Sequence, residues 1–352
     1  MMRDEFEIDG RIIGPSHPTY IVAELSANHG HDFPRAKAMV EAAAEAGADA
    51  IKLQTYTPDT LTIECNRPEF RINSGTIWDG RSLYDLYNEA FTPWEWQPEL
   101  RAYALDLGLG CFSSPFDNSA ISFLEQADFP AYKISSFEMI DIPLVRQAVR
   151  TGKPIIISTG MSSIEEIKEV FDALCEEGGE QLAFLKCTSA YPSPPEQMNL
   201  KTIPNLCNQF GVQVGLSDHT LGSLVSVAAV ALGATIIEKH FTLSRSAGGP
   251  DSLFSMEPEE FTQMVKDIRL IEKAMGSANY CISEAEKVNM NFRRSIFIVE
   301  DINAGDLFTE KNIRSIRPAN GLHPRYLERI IGRTAKTNIS RGVPLTWSHI
   351  SD

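Results

Sequence analysis

A (β/α)₈ TIM barrel followed by a small β-rich domain is the architecture this sequence predicts. Three observations carry that reading. Eight short apolar or β-branched runs recur along the chain, helical patterns with glycine stops separate most of them, and the pattern changes after Gly276. The predicted strands cover 20–25, 50–54, 110–113, 131–135, 154–158, 183–187, 213–216 and 235–239. Eight parallel strands are what closure of such a barrel requires, and 352 residues accommodate a barrel of about 250 plus an appendage.

The elements follow in order. FEI-DG-RII at the start reads as a hairpin able to cap a barrel floor. Asp32 and Pro34 open the first helix, and Gly47 ends it. Ser162 and Glu165 have the spacing of a capping box, with Gly178–Gly179 closing that helix, while Gly152 and Gly233 stop others. The connection 56–96, about forty residues after the second strand, is too long for a plain turn and reads as a cover over a site or as surface decoration. The expected domains are 1–276 for the barrel with its hairpin, 277–292 for a linker, and 293–352 for the β-rich module. In that module DINAGDLFT and NISRGVPLT share one pattern, which predicts two related turns about a local dyad.

A net charge of −15 excludes a nucleic-acid or anionic-membrane partner but leaves anionic small molecules open if local cations reverse the field. The acidic MMRDEFEIDG start does not fit a signal peptide, and the apolar stretch 224–237 is interrupted by Gly233 and too short to span a bilayer. Six scattered cysteines without CxxC spacing read as reduced thiols, so a cytoplasmic protein is expected.

The C-terminal ends of barrel strands converge on one pocket. Those ends carry Glu24 and Asn28, Lys52 and Gln54, Ser113 and Ser114, Lys133 and Ser136, Ser158, Ser189 and Tyr191, Ser217 and His219, and finally His240. His219 and His240 top neighbouring strands and can share a divalent metal, leaving other positions for water and substrate; singly, each reads as a structural histidine. Lys52, Lys133, Ser136, Ser158 and Ser217 suit a phosphate and a carboxylate, although Lys133 also fits a Schiff-base nucleophile or an ion-pair partner. Glu24 can move a proton or merely pair with Lys52. Asp251, after the Gly248-Gly249-Pro250 turn, can bind sugar hydroxyls or cap its own backbone.

The segments AELSANH, GADAIKLQTY, SSPFD, PAYKISSFE, KPIIISTGM, LKCTSAYPSP, GLSDHT, IEKHFT, GGPD and RPANGL, in this order, resemble the sialic acid synthase (NeuB-like) family over nearly the whole chain, ending in its antifreeze-like (SAF) domain. LQTYTPDTLT, GTIWDG, LYDLY and TPWEW resemble the pseudaminic-acid-forming members. The resemblance implies a manganese-, magnesium- or cobalt-dependent condensation of phosphoenolpyruvate with the open-chain aldehyde of an N-acetylated amino sugar, with C–O cleavage. The acceptor it implies is 2,4-diacetamido-2,4,6-trideoxy-L-altrose. By motif, His219 and His240 match the metal ligands, and Glu24 matches the active-site glutamate. Lys52, Ser114, Lys133, Ser136, Ser158, Ser189, Tyr191 and Ser217 match the phosphoenolpyruvate shell. Asp251 matches an acceptor-binding aspartate, and Gln54 stands at a strand end beside them. Arg317 matches an arginine donated across a domain-swapped homodimer, or else is a surface arginine near a turn. Other acceptors (N-acetylmannosamine, a legionaminate precursor), a Schiff-base pyruvate aldolase and a sugar-phosphate sensor on an inactive barrel are the competing expectations.

Overall fold

The structure, a computed structural model, describes residues 2–351. The chain divides into two compact units, Met1–Gly276 and Ser277–Asp352.

The first unit opens with the expected hairpin, β1 (Phe6–Ile8) and β2 (Arg11–Ile13), antiparallel. Asp9 and Gly10 form its turn with φ of 45° and 79°, the left-handed pair that lets two strands reverse without splaying. Phe6, Ile8 and Ile13 are buried against Tyr20, Ala50, Ala131 and Ile236, all near the N-terminal ends of barrel strands, so the hairpin plugs the floor. Asp9 fixes it there, accepting from Arg101 Nη1 at 2.8 Å and from the Cys111 amide at 2.9 Å.

Eight parallel strands then close on themselves in the order β10-β3-β4-β5-β6-β7-β8-β9. They are β3 (Tyr20–Glu24), β4 (Ala50–Thr55), β5 (Gly110–Pro115), β6 (Tyr132–Ile134), β7 (Ile155–Ser158), β8 (Leu182–Cys187), β9 (Gln213–Asp218) and β10 (Ile236–His240). Every expected strand is present with ends moved by one or two residues. The helices of this unit are α1 (Phe33–Glu45), α2 (Pro58–Leu61), α3 (Leu83–Ala90), α4 (Gln97–Asp106), α5 (Asn118–Gln126), α6 (Ile142–Val149), α7 (Ile164–Glu176), α8 (Thr202–Phe210), α9 (Leu224–Ala231) and α10 (Pro258–Met275). Asp32 caps α1 by accepting from the Arg35 amide at 3.1 Å. The cap of α7 lies one residue later than expected: Ser163 and Glu166, not Ser162 and Glu165, exchange the two capping bonds. Ser162 is occupied instead in donating to the Gly160 carbonyl, so the helix starts on the next serine.

Two-residue alternation sorts the barrel side chains. Ile21, Ala23, Ile51, Leu53, Ile157 and Phe184 pack outward with the helices in the main core, whereas Tyr20, Val22, Phe112, Ile156 and Leu185 belong to a separate inner cluster. Along each strand the inner residues change from apolar at the floor to polar at the top: Val22 then Glu24, Ala50 then Lys52, Phe112 then Ser114, Ile156 then Ser158, Ile236 then Glu238. That switch places the site. The long connection is not bare loop, since it contains α2 and α3; Asp79 organises the stretch between them, accepting from the amides of Ser74 at 3.1 Å, Gly75 at 2.9 Å and Thr76 at 3.0 Å.

The second unit contains a helical turn α11 (Glu284–Lys287) capped by Ser283, an antiparallel pair β11 (Ser295–Ile298) and β12 (Ile313–Ile316), and a turn α12 (Leu327–Ile330). Ile296, Ile298, Ile302, Phe308, Ile313 and Leu345 lie in its core. The two repeated turns meet as the pattern predicted. Ile302 and Ile339 exchange backbone bonds at 2.9 and 2.8 Å, Asn338 accepts from the Ala304 amide, and Asp301 accepts from the Arg341 amide, both at 2.7 Å.

Candidate active site

At the open end of the barrel lies a cavity of about 830 Å³ that reaches from the inner strand residues to the long connection. Parallel register brings its charged side chains together, pairing Glu24 with Lys52 across β3 and β4, Gln54 with Ser114 across β4 and β5, and Ser217 with Glu238 across β9 and β10.

The base of the cavity is a buried charge ladder. Lys52 Nζ lies 2.6 Å from Glu24 Oε2 and 3.6 Å from Glu238 Oε1, and Lys133 Nζ lies 3.5 Å from the same Glu238 oxygen. Lys52 also donates to Ser114 Oγ at 3.3 Å, Ser217 donates to Glu238 at 3.1 Å, and Gln54 donates to Glu24 at 2.9 Å. Burial works against every charge here. At Glu238 the Lys133 and Lys52 ammonium groups overcome it and hold the carboxylate charged. At Glu24 burial wins over Lys52 and raises the carboxyl to about 7. Burial lowers Lys133, and Glu238 opposes only part of that; at Lys52 Glu238 and Glu24 reverse the effect and keep the ammonium charged.

The hydroxyls expected around an anion are gathered at this level. Ser158 Oγ is buried without a hydrogen-bond partner, as a donor reserved for a ligand would be. Ser136 Oγ accepts from the Gly160 amide at 3.0 Å. Ser189 Oγ lies beside the same glycine and 3.7 Å from Cys187 Sγ, behind the residues that line the cavity.

Above the ladder stand the histidines, with ring centroids 5.3 Å apart. His219 Nδ1 is 3.1 Å from the Thr188 carbonyl, which it meets as a donor, leaving Nε2 with its lone pair. His240 Nδ1 is buried with no partner, and burial, reinforced by His219 and the lysines, holds that ring neutral. At His219 burial pulls downward, but the neighbouring Cys187 sulfur and the Thr188 carbonyl raise the ring; Cys187 in turn is lowered to about 6, chiefly by His219 against its own burial. A neutral imidazole with an unused nitrogen, as at His240, is a metal donor in waiting; His219 would join it through Nε2 in its neutral form, and the two side chains together fit a divalent ion. Among the described residues no cluster of three or more His, Cys, Asp or Glu side chains could hold one, so water and substrate oxygens would complete its shell.

Tyr191 packs on His219 at 4.4 Å and on Phe254 at 5.1 Å. Asp251 lines the same wall and accepts from Ser26 Oγ, tying the Gly-Gly-Pro turn to the segment that follows β3 instead of only capping its own backbone. Burial raises this carboxyl. Asn28 braces the wall from behind, donating to the Phe241 carbonyl at 2.9 Å and to Ser255 at 2.8 Å. Ser113 bonds Thr55 at 2.6 Å, away from the cavity lining. Arg317 belongs to the C-terminal unit, in a surface hollow with Asn289, Phe292, Arg293 and Arg294.

Glu238 is the functional residue that sequence reasoning overlooked. Its signal was present: it precedes His240 by two residues on one strand and must face the same way, while Lys239 between them turns outward to Asp218 at 2.9 Å.

A TIM-barrel enzyme with two buried lysines set beneath a pair of imidazoles in a cavity at the barrel mouth is the class that this fold and site define. The chain belongs to the NeuB family, which matches residues 39–280, and its SAF domain matches residues 293–351. It is 46% identical to the pseudaminic acid synthase of Campylobacter jejuni over 94% of this chain and 96% of that one. To the pseudaminic acid synthase of Helicobacter pylori it is 44% identical, over 95% and 98%. Among solved structures, the spore coat polysaccharide biosynthesis protein SpsE of Bacillus subtilis superposes with a TM-score of 0.67 at 32% identity, covering 99% of each chain.

Proposed function

We propose that this phosphoenolpyruvate-dependent nonulosonic acid synthase condenses phosphoenolpyruvate with 2,4-diacetamido-2,4,6-trideoxy-L-altrose and water, giving pseudaminic acid and phosphate. The observation that carries the reading is the Lys52–Glu238–Lys133 ladder with the unpartnered Ser158 hydroxyl, set below two imidazoles in one cavity. Two relatives in the mid-forties of percent identity that bear this activity's name support the acceptor.

In this reading Lys52, Lys133 and the hydroxyls of Ser114, Ser136, Ser158 and Ser217 hold the phosphate and carboxylate, with Ser189 backing Ser136 from behind the lining and charge-assisted hydrogen bonds fixing the enol phosphate for attack. Tyr191, Gln54 and Asp251 border the adjoining volume, where the sugar aldehyde lies. A divalent ion held by His219 and His240, manganese by preference, with magnesium or cobalt also suited to the donors, supplies Lewis-acid polarisation of the aldehyde when bound. The C2–C3 π pair of phosphoenolpyruvate forms the new C–C bond, the aldehyde oxygen takes the pair of its own C=O bond and then the first proton of the water, passed on by Glu24, and phosphate carries away the second. Water adds at C2, the C–O bond to phosphate breaks, and the C2 ketone results. Glu24, with its carboxyl raised to about 7 and Lys52 at 2.6 Å, is suited to accept the proton that water releases.

We assign Arg317 to the cavity of a second copy in a homodimer. Exposed apolar side chains in both units support this: Phe137, Ile140, Met161 and Leu221 on barrel loops, and Tyr280, Val288 and Phe292 at the start of the C-terminal unit. Sedimentation of the full chain is expected to give a dimer; a monomer with full activity would overturn the assignment.

The central test follows phosphate release with manganese, comparing the diacetamido-trideoxy sugar with N-acetylmannosamine. Release with the first and not the second is expected. Release with N-acetylmannosamine alone would remove the acceptor assignment while leaving the anion site untouched.

A further inference from the structure

The indole of Trp78 closes the acceptor side of the cavity, and its attachment has a chemical consequence. Its ring is 5.6 Å from that of Tyr191, and its Nε1–H donates to the Pro250 carbonyl at 2.9 Å, one residue before Asp251. Trp78, Pro250, Asp251 and Tyr191 all border the cavity. The turn presenting Trp78 is held by the three amide bonds to Asp79, so the ring sits on a braced support. An indole has one donor and no acceptor, and here the donor is taken. What remains toward the cavity is an apolar face.

We propose that Trp78 is a specificity-determining residue, selecting an acceptor whose substituent at this wall ends in a methyl group and rejecting one that places a hydroxyl there. A methyl or acetamido methyl gains by leaving water for the ring. A hydroxyl laid against the ring itself loses its water partners and gains none from the indole, whose single donor is already taken. The inference rests on the sugar-acceptor reading above and assigns the discrimination to one ring.

The test uses Trp78→Ala and Trp78→Phe, each assayed for kcat/KM with the diacetamido-trideoxy sugar and with N-acetylmannosamine, and for the KM of phosphoenolpyruvate. In Trp78→Ala the preference for the first sugar is expected to fall by about 10- to 100-fold, the size of a single apolar contact's discrimination, with the phosphoenolpyruvate KM within twofold of wild type. Trp78→Phe, which keeps an apolar ring, should retain more of the preference than alanine does. An unchanged ratio in a folded Trp78→Ala protein overturns the proposal. If the wild type itself prefers N-acetylmannosamine, it is the acceptor assignment that fails, and the variant ratio then shows separately whether Trp78 sets that preference.

Discussion

Gly160→Ala inserts a methyl group between the Ser136 hydroxyl, which we assign to phosphoenolpyruvate, and the Ser189 hydroxyl behind it. Built on the present backbone, the new Cβ would lie 2.7 Å from Ser136 Oγ and 3.2 Å from Ser136 Cβ, and closer still to Ser189 Oγ. Carbon and oxygen need about 3.3 Å, so both hydroxyls must rotate or the β7 end must shift. The Gly160 backbone is outside the left-handed region, so alanine adds crowding rather than torsional strain there. Such overpacking costs about 1–3 kcal/mol of stability, which a 39.1 kDa protein with this core should survive. The effect on binding is larger relative to wild type. A hydrogen bond to a charged group contributes about 1.5–3 kcal/mol, so losing one raises the phosphoenolpyruvate KM about 10- to 150-fold. Steady-state phosphate release, with each substrate varied in turn, reads this directly, and a melting curve confirms that the variant is folded. The acceptor KM should change much less. A folded variant with unchanged phosphoenolpyruvate KM would mean that Ser136 does not touch the anion.

Three further outcomes are expected. Lys239→Met strips the buried Asp218 of its cation and leaves the Thr220 and Gly222 carbonyls without their donor, which should cost about 3–5 kcal/mol in urea denaturation while leaving the phosphoenolpyruvate KM unchanged. Because burial raises Glu24 from 4.5 to about 7, its ionised form is the active base only above that value. Activity should therefore rise through pH 7, and Glu24→Gln should remove both the limb and the turnover. The same shift means that the folded chain keeps a proton there that the unfolded chain loses, so Glu24's favourable contribution to stability is full below pH 4.5 and lost as pH rises through 7. Chelation should abolish phosphate release and manganese restore it, whereas His219→Ala should not bind manganese by isothermal titration; full activity of metal-free wild type would remove the metal from the scheme.

The barrel was legible because period-two strands and glycine stops are local properties, and the eight strand tops could be read off one by one. What escaped detection depends on long-range placement. Glu238 reads as an ordinary surface acid until β10 is given an inside and an outside. Lys239 looks available for chemistry, yet it is consumed by Asp218 between barrel and helices. Ser162 and Ser163 satisfy the same capping spacing, and only the bond from Ser162 to Gly160 decides between them. The anchoring of Trp78 is invisible in sequence because its acceptor, the Pro250 carbonyl, lies 172 positions away. The paired turns around Ile302 and Ile339 were readable from their shared pattern because a repeated motif carries its own partner.

The hairpin at the bottom of the barrel governs traffic as well as stability. With Phe6, Ile8 and Ile13 packed into the floor, the hairpin closes the bottom of the barrel, and the lysine ladder on the strands lies below the wall that Trp78 and Tyr191 form on the connections after them. In the proposed reaction, the ligand that belongs at the bottom must enter before the one that covers it. In that scheme phosphate is the last product to leave, and an order of arrival and departure follows from a hairpin, Phe6 to Ile13, that shuts the floor.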